Sequence, residues 1–288
     1  MNYKMTAYVL GKMLGVEALV LCIPAAVSLI YGETSDMAAF GITSAVLCVF
    51  FLLFGRKKPE NGRIYGKDGL VIVAAAWILW SVFGALPFYL SREIPSYVDA
   101  LFETVSGFTT TGSTILTDIE ALSYGMNFWR CLTHWIGGMG VLVFVMVVTS
   151  LDDKSSMHLM RAEVPGPEAD KLVPKARETA KLLYAMYLAL TVAEIIFLLA
   201  GGMNLYDSII HSFSTAGTGG FANHNSSVAY YDSAYIDGVI TVFMILFGIN
   251  FNMYFLLLIN SLIYLFYINL LQQNHLHNCL VVLLYFLK

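Results

Sequence analysis

Three stretches of this chain, residues 37–54, 69–91 and 131–151, contain no Asp, Glu, Lys or Arg. Residues 182–203 carry a single carboxylate, Glu194, and from Gly238 no charged residue appears before Lys288. Residues 5–31 are also apolar, interrupted only by Lys12 and Glu17. A bilayer core is crossed by about 20 apolar residues in a helix, and lipid leaves only helices and closed barrels with a satisfied backbone. Six apolar runs of about this length predict an all-α polytopic membrane protein with six spanning helices. Composition agrees. The chain is 58% hydrophobic and 12% charged, where soluble domains carry about 25% charge. A net charge of −4 argues against a nucleic-acid partner. Cys22, Cys48, Cys131 and Cys279 stand singly in apolar segments, with neither metal-ligand spacing nor a disulfide framework. The first apolar run has no cleavage region of small polar residues and reads as a retained helix, not a signal peptide.

The loops differ sharply in charge. Residues 55–68 hold Arg56, Lys57, Lys58, Arg63 and Lys67, and residues 152–181 hold Lys154, Arg161, Lys171, Lys175, Arg177 and Lys181. The segments 32–36, 91–125 and 204–233 hold one basic residue, Arg92. Basic loops remain in the cytoplasm. The expected topology has the N-terminus inside and the three basic-poor loops outside. Each long outer loop contains a short half-apolar piece, YVDALFETVSGF at 97–108 and LYDSIIHSFSTA at 205–216. Such pieces are too short to span and suit re-entrant helices.

Each piece runs into a Thr/Gly stretch, SGFTTTGST at 106–114 and STAGTGGFA at 214–222. At an offset of 108, Asp99 aligns with Asp207, Ser106 with Ser214, Thr110 with Thr218 and Gly112 with Gly220. The chain therefore reads as a leading helix pair and two parallel copies of helix, re-entrant loop, helix. Irregular backbone at membrane depth is tolerated only where it lines a water-filled cavity or is buried in protein. Glycine admits the angles that turn carbonyls toward an axis, and rings of carbonyls replace the hydration shell of potassium in channel filters. The competing reading is a small-residue helix contact.

With these motifs in view, GALPFYL (84–90), SGFTTTGST (106–114), FWRCLTHWIGGMGVLV (128–143), ETAKLLYAMYLALT (178–191) and STAGTGGF (214–221) resemble the bacterial Trk-type potassium uptake subunit of the Trk/Ktr/HKT superfamily. The resemblance implies a potassium-translocating pore in the inner membrane of a bacterium, a leading helix pair and filter residues Thr110, Thr111, Gly112, Thr218, Gly219 and Gly220. It also implies a cytosolic nucleotide-binding regulatory subunit as partner and a transported potassium ion, with no cofactor. The organisation becomes 1–66, leading pair and basic inner loop; 67–151, first pore repeat with filter 109–114; 152–175, cytoplasmic linker; 176–262, second repeat with filter 217–221; and 263–288, an apolar tail. The family has four pore repeats, and the text after about Phe255 resembles no third one. That reads as a truncation or a change of reading frame. The alternatives to potassium uptake are an inactive fragment of such a transporter and a secondary transporter of another cation. Two copies of the chain as a homodimer would supply four repeats.

Other residues carry open readings. Arg130, near the first filter, either binds pore-helix carbonyls, Asp118 or Glu120, or snorkels to the outer interface. Glu103 and its counterpart His211 suit polar contacts behind the filter. Glu194 and His134 sit inside spanning segments, where polar groups are costly. GGMG at 137–140 permits close helix approach. No phosphate loop, zinc motif or nucleophile motif is present, so no enzyme is expected.

Overall fold

The computed structural model describes residues 1–62, 64–140, 176–251 and 253–254. Residues 1–248 form one compact unit and residues 249–288 a second. Among the described residues of the first unit the regular structure is helical. The expected linker 152–175 and tail 263–288 lie outside the described residues, as does all of 141–151.

Among the described residues four helical stretches are long and apolar enough to cross a membrane: Tyr3–Tyr31, Thr34–Gly55, Lys67–Ser91 and Ala180–Ala200. A shorter apolar helix covers Ala234–Gly248. The first expected span is two helices, α1 (Tyr3–Val20) and α2 (Cys22–Tyr31). They meet at Leu21, and Pro24 in the first turn of α2 has no N–H to give to the preceding turn. α3 (Thr34–Phe50) continues into a π-helical turn, Phe51–Gly55. That turn lies directly on α1: a Cβ on Gly11 would come within 2.6 Å of the Gly55 backbone nitrogen. Gly11 and Gly15, four residues apart on α1, both face this turn. This small-residue contact closes the leading pair.

The third span is likewise broken, into α4 (Gly66–Gly84) and α5 (Leu86–Ser91), with Pro87 at the start of α5. α6 (Tyr97–Phe108) has 12 residues, about 18 Å of helix, roughly half of a bilayer core. α7 (Tyr124–Met139) follows after the first Thr/Gly stretch. It begins seven residues earlier than the expected span 131–151, because Ser123 accepts a hydrogen bond from the Met126 amide and caps it there. Glu33 reinforces this start: its two carboxylate oxygens accept from the Tyr124 and Gly125 amides at 2.7 and 2.9 Å, anionic charge at a helix N-terminus. The second copy supplies α8 (Ala176–Ala200), α9 (Leu205–Ala216, again 12 residues) and α10 (Ala234–Gly248).

α7 is central. It packs against α6, α9 and α2, and most of its side chains are buried, including Trp129, Arg130 and His134. Trp129 donates its indole N–H to the Gly84 carbonyl at 2.8 Å and lies edge-on to Phe108, which also meets Trp80. These rings fasten the C-terminal end of α6.

Candidate functional site

The two short helices are built alike at both ends. Ser96 and Asn204, at equivalent positions, cap α6 and α9 by accepting from the Asp99 and Asp207 amides. At the C-terminal ends, three backbone hydrogen bonds recur at the same offset. The Thr109 amide donates to Val105 and that of Gly217 to Phe213; Thr110 donates to Gly107 and Thr218 to Thr215; Thr111 donates to Ser106 and Gly219 to Ser214. The repeat seen as four sequence identities is thus a repeat of backbone geometry.

Both chains then leave the helix in the same unusual way. Thr110 and Thr218 each have φ +56°, and two residues on Gly112 and Gly220 have φ +76° and +84°. A threonine in the left-handed region is costly, since its branched Cβ crowds the backbone. That cost appearing twice, at matching positions, marks a conformation the surroundings impose. Positive φ thus recurs two positions apart in each stretch, with Thr111 and Gly219 between them outside that region. The two strands lie side by side. A Cβ on Gly112 would collide with the Gly219 carbonyl oxygen, and one on Gly219 would come 2.9 Å from the Thr110 carbonyl oxygen. The structure therefore brings all six expected filter residues, Thr110, Thr111, Gly112, Thr218, Gly219 and Gly220, into one place.

One side of this pair is open: Thr111, Thr218 and Gly220 are exposed. The other side rests on α7. Gly137 lies against the Phe108 carbonyl and Gly138 against Ala216 and Gly217, so GGMG seats the ends of both short helices. His134 stacks on Phe221 at 4.0 Å, and a Cβ on Gly219 would come 2.5 Å from its ring.

Arg130 is not at the outer interface, nor is it paired with Asp118 or Glu120, the placements read from sequence. It is 2% exposed. Its Nε lies 2.5 Å from Glu103 Oε1, its Nη1 donates to the Ala222 carbonyl at 3.0 Å, and its guanidinium lies 3.6 Å over the Phe221 ring. Glu103 in turn accepts from the Thr114 hydroxyl at 2.8 Å and the Ile115 amide at 3.1 Å. One buried ion pair therefore holds the backbone just after both Thr/Gly strands. The pairing has no signal in sequence, since 27 positions separate the partners. His211, the counterpart of Glu103, is buried beside Tyr231. The gripping acid in the second copy is Asp207, which accepts from Asn223 Nδ2 at 2.6 Å and the Tyr231 hydroxyl at 2.8 Å. Beyond these contacts, Asn225 accepts from the Ile119 amide and donates to Asp118, tying together the loops that follow the two Thr/Gly strands. Among the described residues no cluster of His, Cys, Asp or Glu has the arrangement to hold a metal ion by side chains; the available ligands at this site are carbonyls and hydroxyls.

Residues 37–287 match the family of cation transport proteins called TrkH. The chain belongs to the TrkH family. The match includes the tail that resembles no third repeat by eye. The Trk system potassium uptake protein TrkH of Escherichia coli strain K12 is 35% identical over 261 residues, which is 90% of this chain and 54% of that protein. TrkG of the same strain is 32% identical over 263 residues, 89% of this chain and 53% of that one. The crystal structure of the potassium transporter TrkH from Vibrio parahaemolyticus superposes with a TM-score of 0.76 at 30% identity, covering 88% of this chain and 52% of that chain. The chain spans about half the length of the relatives it matches. As a TrkH-family chain with apolar membrane-length helices, it is an all-α polytopic membrane protein.

Proposed function

We propose that this chain forms part of a potassium uptake pathway, with backbone carbonyls of residues 110–112 and 218–220 taking the place of water around the ion. The observation that carries this reading is the pair of adjacent strands with left-handed residues at 110 and 112 and at 218 and 220, each issuing from the end of a half-span helix. An α-helix directs the negative end of its dipole along its C-terminus, so α6 and α9 both favour a cation there. An uncharged Thr/Gly lining suits a monovalent ion, where a calcium path calls for acidic rings. Relatives named as potassium uptake proteins support the choice of ion. The membrane potential supplies about 2.3 kcal/mol per charge per 100 mV, enough to drive uptake without a catalytic group, and no cofactor is invoked.

In this reading the chain lies in a bacterial inner membrane with its N-terminus and the basic segments 55–68 and 152–181 in the cytoplasm. The partner is a cytosolic nucleotide-binding regulatory subunit, and a second copy of the chain as homodimer would complete the ring of carbonyls around the ion. The test is growth at limiting potassium of cells lacking their own potassium uptake. Expression of the chain restores growth, and Gly112→Ala or Gly220→Ala abolishes it. Failure to restore growth by a chain that is inserted and folded rejects uptake by this chain alone. Orientation is tested separately: a cysteine at Ser226 in a background lacking the native cysteines reacts with an impermeant thiol reagent in intact cells, and one at Lys57 does not. The reverse pattern rejects the topology.

A further inference from the structure

A threonine held at positive φ needs something to hold it there, and the two copies differ in what does so. In the first, Thr109 and Thr111 flank the left-handed Thr110, and their hydroxyls meet at 2.8 Å. Thr109 also donates to the Val105 carbonyl at 2.7 Å, so this clasp is anchored on α6. In the second, the flanking residues are Gly217 and Gly219, which have no side chains to clasp. Thr218 nevertheless has the same φ as Thr110, +56°.

His134 of α7 lies against both glycines. A Cβ on Gly217 would come 2.9 Å from the His134 carbonyl oxygen and 3.2 Å from its Cβ. A Cβ on Gly219 would come 2.5 and 2.6 Å from Cε1 and Nε2 of its ring. His134 thus occupies the room that two side chains would need. Its own place is fixed. It is 0% exposed, and its ring stacks on Phe221 at 4.0 Å with 19° between the planes. Phe221 is also buried and lies under the guanidinium of Arg130, one turn earlier on α7. Neither ring nitrogen of His134 makes a hydrogen bond by geometry among the described residues, so the ring acts through its shape.

We infer that His134 is the positioning residue that holds Thr218 left-handed, doing for the second strand what the Thr109–Thr111 hydroxyl contact does for the first. On the function proposed above it is also specificity-determining, and that extension rests on it. Moving Gly219 carries the Thr218 and Gly219 carbonyls with it, and the placing of such carbonyls decides which cation they suit.

The experiment uses the whole chain in lipid nanodiscs. The first arm is hydrogen exchange, without potassium, of the peptide covering 217–221. His134→Ala should exchange about tenfold faster. His134→Leu, which fills the space without a flat ring, should shift the same way and replaces the alanine variant where that does not fold. His134→Phe keeps a ring on Phe221 and should stay within about twofold of wild type. Leu132→Ala, also buried but on the opposite side of α7, should match wild type. Gly219→Ala should speed exchange in wild type and add less than about twofold to His134→Ala, since the contact is already gone. Unchanged exchange without the ring, equal acceleration by Leu132→Ala, or a phenylalanine variant that behaves like the alanine one overturns the inference. The second arm is thermal stabilisation by potassium against sodium. Removing the ring should lower the preference for potassium about tenfold and Leu132→Ala should keep it; an unaltered preference without the ring overturns the role in specificity. A wild-type chain with no preference counts against the proposed function, and the exchange arm, which needs no ion, still decides whether His134 holds the strand.

Discussion

Removing the Arg130 side chain should strongly destabilise the described part of the molecule. The guanidinium and the Glu103 carboxylate are 1% and 0% exposed, so solvent does little to screen the pair. Breaking a buried pair from one side costs about 3–5 kcal/mol, because the remaining charge stays buried. In Arg130→Met the chain length survives, and Glu103 still accepts from Thr114 and Ile115, which places the loss near the lower bound, about 3 kcal/mol. Lost with it are the hydrogen bond to the Ala222 carbonyl and the stacking on Phe221; the methionine sulfur partly replaces the latter. Glu103→Gln should cost a similar amount by leaving the cation unpaired. The double variant should cost less than the sum of the two, with a coupling of about 2 kcal/mol. Unfolding in mixed micelles, followed by the fluorescence of Trp129 beside the pair, measures all three. Single variants that each lose under about 1 kcal/mol, with an additive double variant, would show that the pair is solvated and refute the argument.

Three glycines with positive φ should separate by what surrounds them. Gly112→Ala should destabilise most, since it meets both left-handed strain and the Gly219 carbonyl, while Gly202→Ala and Gly220→Ala, each with nothing within 4 Å, should lose about 1 kcal/mol in thermal unfolding; equal losses at all three would contradict the contact between strands. Glu93 lies just outside the third span, where burial first and then the nearby Asp36 carboxylate push its carboxyl up to about 7. The folded state therefore prefers the proton, so its contribution is fully present below the ordinary carboxylate value of 4.5 and is lost as pH rises through about 7. Thermal unfolding of wild type across that window should fall with rising pH, and Glu93→Gln, a permanently neutral mimic, should flatten the curve; an unchanged slope would reject the assignment.

Much of the local structure was legible in the sequence, for physical reasons that can be named. The pieces 97–108 and 205–216 coincide with helices Tyr97–Phe108 and Leu205–Ala216, because a capping Ser or Asn precedes each and Thr and Gly, poor in helices, follow. Hydropathy marked the spans but not their breaks. The junctions at Leu21 and Ala85 sit beside Pro24 and Pro87, and an apolar proline leaves a hydropathy average unchanged. The expected start of the fourth span at 131 missed the cap at Ser123, because polar Asn127 and Arg130 lie in the helix and satisfy themselves inside the protein. The two Thr/Gly strands were legible as a repeat. Their support was not, since Glu103 and Arg130 meet only once α6 lies on α7.

The two copies share a backbone but not its support, and this divides the labour between them. Both strands have the same left-handed positions and the same three helix-end hydrogen bonds. The first is held by Glu103 through Thr114 and Ile115; the second is held by Asp207 through Asn223. Ser123 and Ser233 cap the two equivalent helices in the same way, which puts Ile240 at the position of Arg130, so the second copy brings no guanidinium of its own. Arg130 serves both, reaching Glu103 on one side and Ala222 on the other. A backbone that must present carbonyls at one spacing constrains both copies alike, because any shift in φ moves a carbonyl. The side chains behind it are free to differ, because a carboxylate accepting backbone and hydroxyl donors can approach from either helix turn. In the function proposed above the common geometry is the part that would meet the ion, and the shared Arg130 links the segments that follow the two strands.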